Sequence, residues 1–373
     1  IDENEKTQKF TCKWNCYYCP NEPGQPRSYL HDEPAVLRAN RNGFCPIQQF
    51  NDRANTLKSN GHPIDKIELI VLGGTWSSYP YFYQYNFCRD LFYAANIYWD
   101  ENKRKPYSLQ AEQKINESAQ TKIIGLTLET RPDCITSLEL KRFRAFGCTR
   151  VQLGVQHTDN SILKKINRGH GIKESIDAIR ILQNNCFKVD IHLMPDLPGT
   201  TYEKDKKMFD MVLNSNELRA DQIKIYPHSV VPWTVTKKWL ENGTYTSMKH
   251  EELVELIIEF KSKIQPWIRL NRIIRDIPNQ YISGGNMVTN LRQVIHEKMK
   301  KRGLKCNCVR CREIGLNEHK NPKLVQRVYQ SGGGEEHFIS FETEDNMITS
   351  FIRIRLSNRS GLIRKNMIEE VVD

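Results

Sequence analysis

The stretch "KIIGLTLETRPDCITSLELKRFRAFGCTRVQLGVQ", residues 122–156, contains a complete strand–helix–strand unit. Its first and last segments, residues 122–130 and 150–156, are short, rich in branched aliphatic residues and nearly continuous in apolarity. Parallel strands that are buried on both faces have this composition. Between them, Thr136 and Glu139 have the spacing of a capping box, and Gly147 stands where a helix C-cap is expected. The stretch therefore predicts two parallel strands joined by a helix.

The same kind of apolar run recurs along the first two thirds of the chain and alternates with helix-like stretches. Such repeated units predict an α/β fold, either a barrel or a doubly wound sheet. Every run ends in a glycine-bearing or polar tip, and in a barrel such tips share the rim where active sites are built. The patterns alone leave both architectures open, and the shared rim favours the barrel. The predicted strands are KIELIVLGG (66–74), KIIGLTLET (122–130), RVQLGVQ (150–156), KVDIHLMP (188–195) and QIKIYPHSVV (222–231).

The pattern changes after about residue 245. Apolar residues at helical spacing predict helices within 250–264 and 286–303, and a cysteine-rich segment follows directly. Farther on, two apolar runs flank Asp345 and Asn346, which predicts a β-hairpin. Three units are expected: an α/β barrel over 1–245, a helical extension and metal-binding linker over 246–335, and a further unit that begins with this hairpin over 336–373.

Composition indicates the kind of partner and the compartment. Lys and Arg outnumber Asp and Glu by 55 to 44, a formal charge of +11, which favours an anionic partner such as nucleic acid. No run of eighteen apolar residues occurs, so a membrane span is not expected. The eleven cysteines form two tight groups plus scattered singles, unlike a secreted disulfide framework, and predict a reducing, cytoplasmic setting. The chain begins at Ile1 without a signal pattern, so any targeting segment is expected elsewhere.

Residues 11–20, "TCKWNCYYCP", place three cysteines within eight positions, Cys12, Cys16 and Cys19. A four-iron cluster normally takes four thiolates, so three leave one iron open. The alternatives are a zinc knuckle or incidental cysteines, although zinc sites favour paired units with later partners. This spacing, with Tyr18 before the last cysteine, resembles the radical S-adenosylmethionine enzymes. The resemblance implies an α/β fold built as a partial TIM-like (β/α) barrel. In that family the open iron binds S-adenosylmethionine, and an electron from the cluster cleaves it to a 5′-deoxyadenosyl radical.

A narrower resemblance rests on seven further segments, which occur in order along the chain. Together they resemble the catalytic subunit of the Elongator complex and its stand-alone archaeal, bacterial and viral relatives. The resemblance implies an enzyme that carboxymethylates carbon 5 of the tRNA wobble uridine, using S-adenosylmethionine for the radical and acetyl-coenzyme A for the carbon unit, with Elongator-like subunits as possible partners. The segments are GHPIDKIELIVLGGTW, GLTLETRPD, CTRVQLGVQ, INRGH, HLMPDLPG, IKIYP and IRDIPNQYISGG.

The candidate site residues come from the strand tips, the amino-terminal cysteine loop and the basic segment before the second cysteine group. Glu129 is suited to a ribose hydroxyl and Arg131 to a carboxylate or phosphate, the alternative being a mutual salt bridge. His192 and Gln156 are candidates for cofactor contacts, with structural roles as their alternatives. The catalytic candidates are Cys12, Cys16, Cys19, Glu129 and Arg131. The cofactor-binding candidates are Tyr18, Gly73, Gly74, Thr75, Gln156 and His192. The RNA-binding candidates are Lys224, Tyr226, Arg272, Arg275, Lys298, Lys301 and Arg302.

The second cysteine group, Cys306, Cys308 and Cys311, has the spacing C-x-C-x-x-C. Thiolate-rich sites of this kind favour structural zinc, with a second iron–sulfur cluster as the alternative. The resemblance supports zinc, because relatives carry this group between the radical domain and the acetyltransferase domain. A fourth ligand is not evident, since His319 lies eight residues on and is more typical of a surface histidine.

One family feature is missing from the sequence. Acetyltransferase domains of this family hold the pyrophosphate of acetyl-coenzyme A on a loop patterned Q/R-x-x-G-x-G/A before a helix, and no such loop occurs here. Residues 336–373 resemble only the opening strands of this α+β, GNAT-like acetyltransferase domain. We therefore expect the domain to be truncated in this chain and acetyl-coenzyme A not to bind in the ordinary way.

Two other hypotheses compete with the tRNA-modifying enzyme. One is a catalytically inactive, metal-stabilised RNA-binding scaffold, and the other is a radical enzyme acting on a small molecule. The complete cysteine triad and the Gly73–Gly74 pair favour an enzyme, while the basic charge favours an RNA substrate.

Overall fold

The computed structural model describes residues 11–315 and 321–357. The strands are β1 Lys66–Val71, β2 Lys122–Thr130, β3 Arg150–Gln156, β4 Lys188–Leu193, β5 Gln222–Ile225, β6 Ser229–Val230, β7 Arg269–Arg272, β8 Gly284–Gly285, β9 Lys323–Ser331, β10 Gly334–Glu342 and β11 Ile348–Leu356. The helices are α1 Pro34–Arg41, α2 Pro46–Ser59, α3 Tyr81–Asn96, α4 Leu109–Asn116, α5 Ser137–Ala145, α6 Asn160–Lys165, α7 Ile172–Asn184, α8 Tyr202–Asn214, α9 Val235–Glu241, α10 His250–Lys263 and α11 Leu291–Lys301.

The main sheet has six parallel strands in the order β1-β2-β3-β4-β5-β7. All five predicted strands form and are neighbours in chain order. The sixth strand, β7, comes from the segment that the sequence analysis placed in a helical extension. The capping prediction for α5 is confirmed: the Thr136 side chain accepts a hydrogen bond from the Glu139 backbone N–H (3.2 Å), and Gly147 has φ +79°.

The core lies between the sheet and the helices. Strands β3 and β4 are almost wholly buried, which explains their continuous apolarity. Leu140 and Phe143 of α5 are fully buried in the same cluster as Val151 and Leu153 of β3. Helix α5 therefore packs back onto the sheet that its flanking strands build.

The sheet curls into a part-barrel that the amino-terminal segment closes. Leu72 beyond β1 and Arg272 of β7, from opposite edges of the sheet, line the same cavity. Arg275 donates to the Glu33 carboxylate (2.8 Å), and its guanidinium lies over the Tyr29 ring at 4.8 Å from the centroid. These contacts hold residues 28–33 across the carboxyl end of the sheet.

A separate antiparallel sheet, in the order β11-β10-β9, follows the second cysteine group. The hairpin predicted around Asp345 and Asn346 is confirmed as β10 and β11, whereas β9 was missed. The rings of Trp267 and Tyr329 stack at 4.2 Å, and Phe338 is fully buried in the same cluster. This sheet therefore packs directly against the part-barrel. The predicted continuation over 358–373 lies outside the described residues.

Arg312 connects the barrel, the cysteine segment and this sheet. Its guanidinium donates to the carbonyl oxygens of Pro266 (2.8 Å) and Asn307 (2.9 Å) and lies 3.0 Å from the Glu342 carboxylate. We expect Arg312→Met to lower the free energy of unfolding by about 2–4 kcal/mol, because it removes a buried cation from the buried Glu342 carboxylate and breaks the hydrogen bonds to two carbonyl oxygens. Chemical denaturation measures the loss. The exposed Lys323→Met should change it by less than about 0.5 kcal/mol, and equal effects would contradict the role of Arg312.

Within the described residues, no helix combines the length and the apolarity needed to cross a membrane.

Candidate active site and cysteine centres

The amino-terminal cysteine loop, residues 12–19, is fixed to the barrel by main-chain hydrogen bonds. The Tyr17 N–H donates to the Ile166 carbonyl after α6 (3.0 Å), and the Tyr17 carbonyl accepts from the Val235 N–H at the start of α9 (3.0 Å). Within the loop, the Cys19 N–H donates to the Cys16 carbonyl (3.1 Å). The loop therefore lies at the carboxyl end of the sheet, as predicted for a barrel-rim site.

Two buried arginines face Cys16. The Nη1 atoms of Arg131 and Arg168 lie 3.5 Å and 3.6 Å from its Sγ, and both side chains are at most 5% exposed. Arg131 also makes a two-fold ion pair with Asp133 (2.9 and 3.1 Å). Nearby cations stabilise thiolates, and cluster ligands must be thiolates. The mutual Glu129–Arg131 salt bridge considered above does not form, since Arg131 pairs with Asp133.

The two cysteine groups differ in the distances between their sulfur atoms. In the described residues, the group of metal-ligating side chains whose ligand atoms all lie within 4.8 Å of each other is Cys306, Cys308 and Cys311. At least one pair of sulfur atoms in the amino-terminal triad is therefore more than 4.8 Å apart. A single tetrahedral ion with bonds of about 2.3 Å needs sulfurs within about 4 Å of each other, so the wider triad fits a multi-iron cluster better.

The strand tips and the cysteine loop enclose one cavity of about 300 Å³. The structure brings most of the predicted site residues together around it. The cavity-lining residues among them are Cys12, Cys16, Tyr18, Cys19, Gly74, Thr75, Glu129, Arg131, Gln156, His192, Lys224, Tyr226, Arg272 and Arg275.

Glu129 lies at the centre of a buried polar group in this cavity. One carboxylate oxygen accepts a hydrogen bond from the Tyr29 hydroxyl (2.9 Å), and the other lies 3.6 Å from His192 Nδ1. Burial raises the pKa of Glu129, while the charge of Lys224 opposes that rise. Burial, with the same lysine, lowers the pKa of His192 well below its usual value, so His192 is neutral. The group offers a carboxylate and a neutral imidazole to a bound ligand.

Several buried polar atoms of the cavity residues have no hydrogen-bond partner among the residues that the structure describes. They include the side-chain oxygens of Gln152 and Gln156 and Nε2 of His192. Native structures rarely leave such atoms unpaired, so they indicate positions that a ligand or ordered water satisfies. Gln152 was missed by the sequence analysis, although it lies two residues before Gly154 in the same strand. A Cβ at Gly154 would lie 2.7 Å from Arg168 Nη2, so this glycine makes room for that arginine.

Other predicted residues lie elsewhere. The Gly73 carbonyl accepts from the Tyr79 hydroxyl (2.9 Å) outside the cavity lining, whereas Gly74, with φ +74°, borders the cavity. Lys298 and Lys301 are in the last turn of α11, and Arg302, just after it, pairs with Glu255. These three cations form a surface separate from the cavity.

Asp196, after β4, is buried away from the cavity and predicts a pH effect. Burial, together with Asp205, raises its pKa to about 7, against hydrogen bonding from the Met248 N–H. Because the folded pKa exceeds the unfolded value, this group favours folding at low pH, and that contribution is lost as pH rises to about 7. Wild type should therefore lose stability relative to Asp196→Asn between about pH 5 and about pH 8, measured by urea denaturation. The exposed Asp100→Asn should show no such trend.

The second cysteine group has two neighbours that sequence reasoning missed. His296 of α11 has its Nε2 atom 3.9 Å from Cys311 Sγ, and the fully buried Lys261 of α10 has its Nζ atom 3.8 Å from the same sulfur. Hydrogen bonds from the Cys306 and Cys311 thiols lower the pKa of Cys308. Three sulfurs and one imidazole are a typical zinc ligand set, and a buried cation compensates their excess negative charge. His319 lies outside the described residues.

Comparisons with known proteins agree with this geometry. Residues 10–212 match the Radical SAM superfamily, and residues 220–301 match the Radical_SAM C-terminal domain. The chain is 37% identical over 355 residues to the tRNA uridine(34) acetyltransferase of Dehalococcoides mccartyi, covering 94% of this chain and 76% of that protein. The chain belongs to this radical SAM family. Membership implies a four-iron cluster and S-adenosylmethionine.

The chain spans only part of the length of two further members of the family. It is 37% identical to the tRNA uridine(34) acetyltransferase of Methanocaldococcus infernus and 35% identical to human Elongator complex protein 3, covering 91% of this chain in each case. It spans only 65% and 63% of those two proteins. The solved structure of M. infernus Elp3 with an N-terminal deletion superimposes with a TM-score of 0.83, at 37% identity, over 88% of this chain and 77% of that one.

Proposed function

We propose that this chain is a radical S-adenosylmethionine enzyme that modifies the wobble uridine of tRNA. The observation that carries the proposal is the single cavity shared by the cysteine loop and the strand tips. Names of the relatives support the tRNA substrate, since they are tRNA uridine(34) acetyltransferases and Elongator complex protein 3. When bound, the cluster and S-adenosylmethionine supply one-electron radical chemistry.

Different residues of this chain are proposed to hold the cluster, to bind S-adenosylmethionine and to exclude water. Cys12, Cys16 and Cys19 are proposed to hold the cluster, with Arg131 and Arg168 compensating its negative charge. The proposed S-adenosylmethionine site lies on the cavity side of this loop, where Gly74 lets a ligand approach the backbone and Glu129, Gln156 and His192 offer polar groups. Pro20, Tyr29 and Leu30 cover the cavity and exclude water.

The tRNA contacts fall into two groups. Lys224 and Tyr226 line the cavity and are largely buried, so we assign them to the inserted nucleotide rather than to the phosphate backbone. Lys298, Lys301 and Arg302 form the exposed surface that we assign to phosphates. Affinity for tRNA should therefore fall steeply with salt and in Lys298→Glu/Lys301→Glu, as a gel shift would show.

The wider assignments rest on the family. Transfer of a carbon unit from acetyl-coenzyme A and assembly with Elongator-like subunits are proposed from the names of the relatives alone, because the described residues contain no pyrophosphate-binding loop. A reducing, cytoplasmic location is supported by the eleven cysteines, all of which are free.

The experiment that tests the proposed function uses the reconstituted chain. After anaerobic addition of iron and sulfide, reductant and S-adenosylmethionine should yield 5′-deoxyadenosine, and the yield should change when tRNA is added. An inactive scaffold would bind tRNA and yield none. The family membership and the intact triad favour the enzyme.

We also propose zinc at the second cysteine group, with His296 as its fourth ligand. His296→Ala should weaken zinc binding at least about tenfold, measured by competition with a chromogenic chelator. The exposed His62→Ala should bind zinc as wild type does. Unchanged affinity in His296→Ala would assign the fourth position to another group.

A further inference from the structure

A second hollow, of about 480 Å³, lies beside the amino-terminal cysteine loop. We call it the outer hollow, and its defining residues are Arg27, Trp233, Lys237 and Lys238 around Cys16 and Cys19. Both cysteines and Arg27 also line the main cavity. The cysteine loop is therefore a wall that the two spaces share, and the outer hollow adjoins two of the proposed cluster ligands.

The outer hollow is positively charged. Arg27, Lys237 and Lys238 contribute three cations, and Glu241 contributes one carboxylate, leaving a balance of +2. Lys237 Nζ lies 3.8 Å from Glu241 Oε1, while Lys238 is exposed. A concave surface of one sign raises the encounter rate of oppositely charged molecules.

Trp233 marks the rim of the outer hollow. Its side chain is 45% exposed, and its φ of +58° is rare for a bulky residue. Strained, exposed aromatic residues concentrate at functional surfaces. Its carbonyl accepts a hydrogen bond from the Asn21 N–H (3.2 Å), and two residues later the Val235 N–H donates to the Tyr17 carbonyl (3.0 Å). The rim is thus linked to the cysteine loop through Tyr17 and to the segment just after it through Asn21.

We propose that the outer hollow is the docking surface for a small acidic redox protein that reduces the cluster. This inference rests on the proposed function, because radical chemistry on the cavity side needs an electron from outside. One electron passes from the partner's reduced flavin or iron–sulfur group to the oxidised cluster. The partner is oxidised by that electron, and no bond or proton changes in this chain.

A redox partner fits this surface better than RNA does. The substrate nucleotide must reach the cavity side, where Glu129, Gln156 and His192 lie. These three side chains do not line the outer hollow, which meets the cavity at the wall formed by the cysteine loop. An electron can cross this wall, whereas a base cannot. The proposed phosphate-binding cations, Lys298, Lys301 and Arg302, belong to a different element, α11.

Flavodoxin, an acidic flavin protein, is the probe. Reduced flavodoxin is mixed anaerobically with reconstituted chain, and the loss of cluster absorbance is followed by stopped flow. Lys237→Glu/Lys238→Glu should slow this reduction about tenfold or more at low ionic strength, and the gap to wild type should narrow as salt rises. Dithionite, which needs no docking surface, should reduce both proteins equally.

Lys298→Glu/Lys301→Glu is the matched control, since it carries the same charge change on α11. It should weaken tRNA binding and leave the flavodoxin rate unchanged. Equal flavodoxin rates in wild type and Lys237→Glu/Lys238→Glu, or no reduction of wild type by flavodoxin, would overturn the docking site alone. Loss of tRNA affinity in Lys237→Glu/Lys238→Glu with an unchanged flavodoxin rate would identify an RNA surface instead. Failure of dithionite to yield 5′-deoxyadenosine would overturn the proposed function itself.

Discussion

Replacing Cys16 with alanine is expected to abolish the chemistry altogether. Two thiolates do not hold a four-iron cluster firmly, and the change also leaves Arg131 and Arg168 facing an empty position in a buried site. The visible absorbance of the reconstituted protein and its yield of 5′-deoxyadenosine should both fall to the level of the metal-free chain. Iron analysis and product chromatography measure the two effects.

Cys186→Ala is the matched control for this experiment. Cys186 is an exposed free cysteine just after α7, remote in sequence from both cysteine groups. Its replacement should change neither iron content nor product yield. Full cluster loading and turnover in Cys16→Ala would contradict the assignment of the triad.

Removing the Glu129 carboxylate should have the second largest effect. Hydrogen bonds to charged groups contribute about 1.5–3 kcal/mol, so Glu129→Ala should weaken S-adenosylmethionine binding by about 10- to 100-fold. The Tyr29 hydroxyl also loses its acceptor, which loosens the segment that covers the cavity. Equilibrium dialysis against the reconstituted protein measures the affinity.

Two comparisons make this prediction specific. Glu129→Gln keeps the shape of the side chain and a hydrogen-bond acceptor, so its loss should be smaller than that of Glu129→Ala. Glu117→Ala, at an exposed position after α4, should bind as wild type does. Unaltered affinity in Glu129→Ala would remove this carboxylate from the proposed cofactor site.

Local sequence patterns predicted the parallel α/β sheet because its central strands are buried on both faces, whereas its closure as a part-barrel was implied by the family resemblance. Continuous apolarity in β3 and β4 has no other simple cause in a chain with alternating helices. The expectation that strand tips meet at one rim followed from parallel topology alone, and it brought Gly74, Glu129 and His192 around one cavity.

Such patterns did not predict the strands that are short or largely exposed. Strand β7 has four residues, two of them arginines, and forms because β5 offers it an open edge. Strand β9 is largely exposed, so its composition lacks the apolar signature of a buried strand. In both cases tertiary pairing supplies the hydrogen bonds that local propensity does not specify.

Contacts between side chains that lie far apart in the chain could not be predicted from the sequence either. Arg168 reaches Cys16 across 152 positions, and Lys261 reaches Cys311 across 50. His296 lies ten residues before Cys306, on a helix whose orientation is set by packing of Leu291 and Ile295. In the sequence, His296 is a lone histidine near several basic residues. Such histidines are common on solvated helix faces, so nothing marked it as a metal ligand.

The most direct test of the central claim is electron paramagnetic resonance of the anaerobically reconstituted, reduced chain with and without S-adenosylmethionine. The account predicts the signal of a reduced four-iron cluster on Cys12, Cys16 and Cys19, which changes when S-adenosylmethionine occupies the open iron. A colourless protein that gives no signal and carries a single divalent ion on these three cysteines would contradict it.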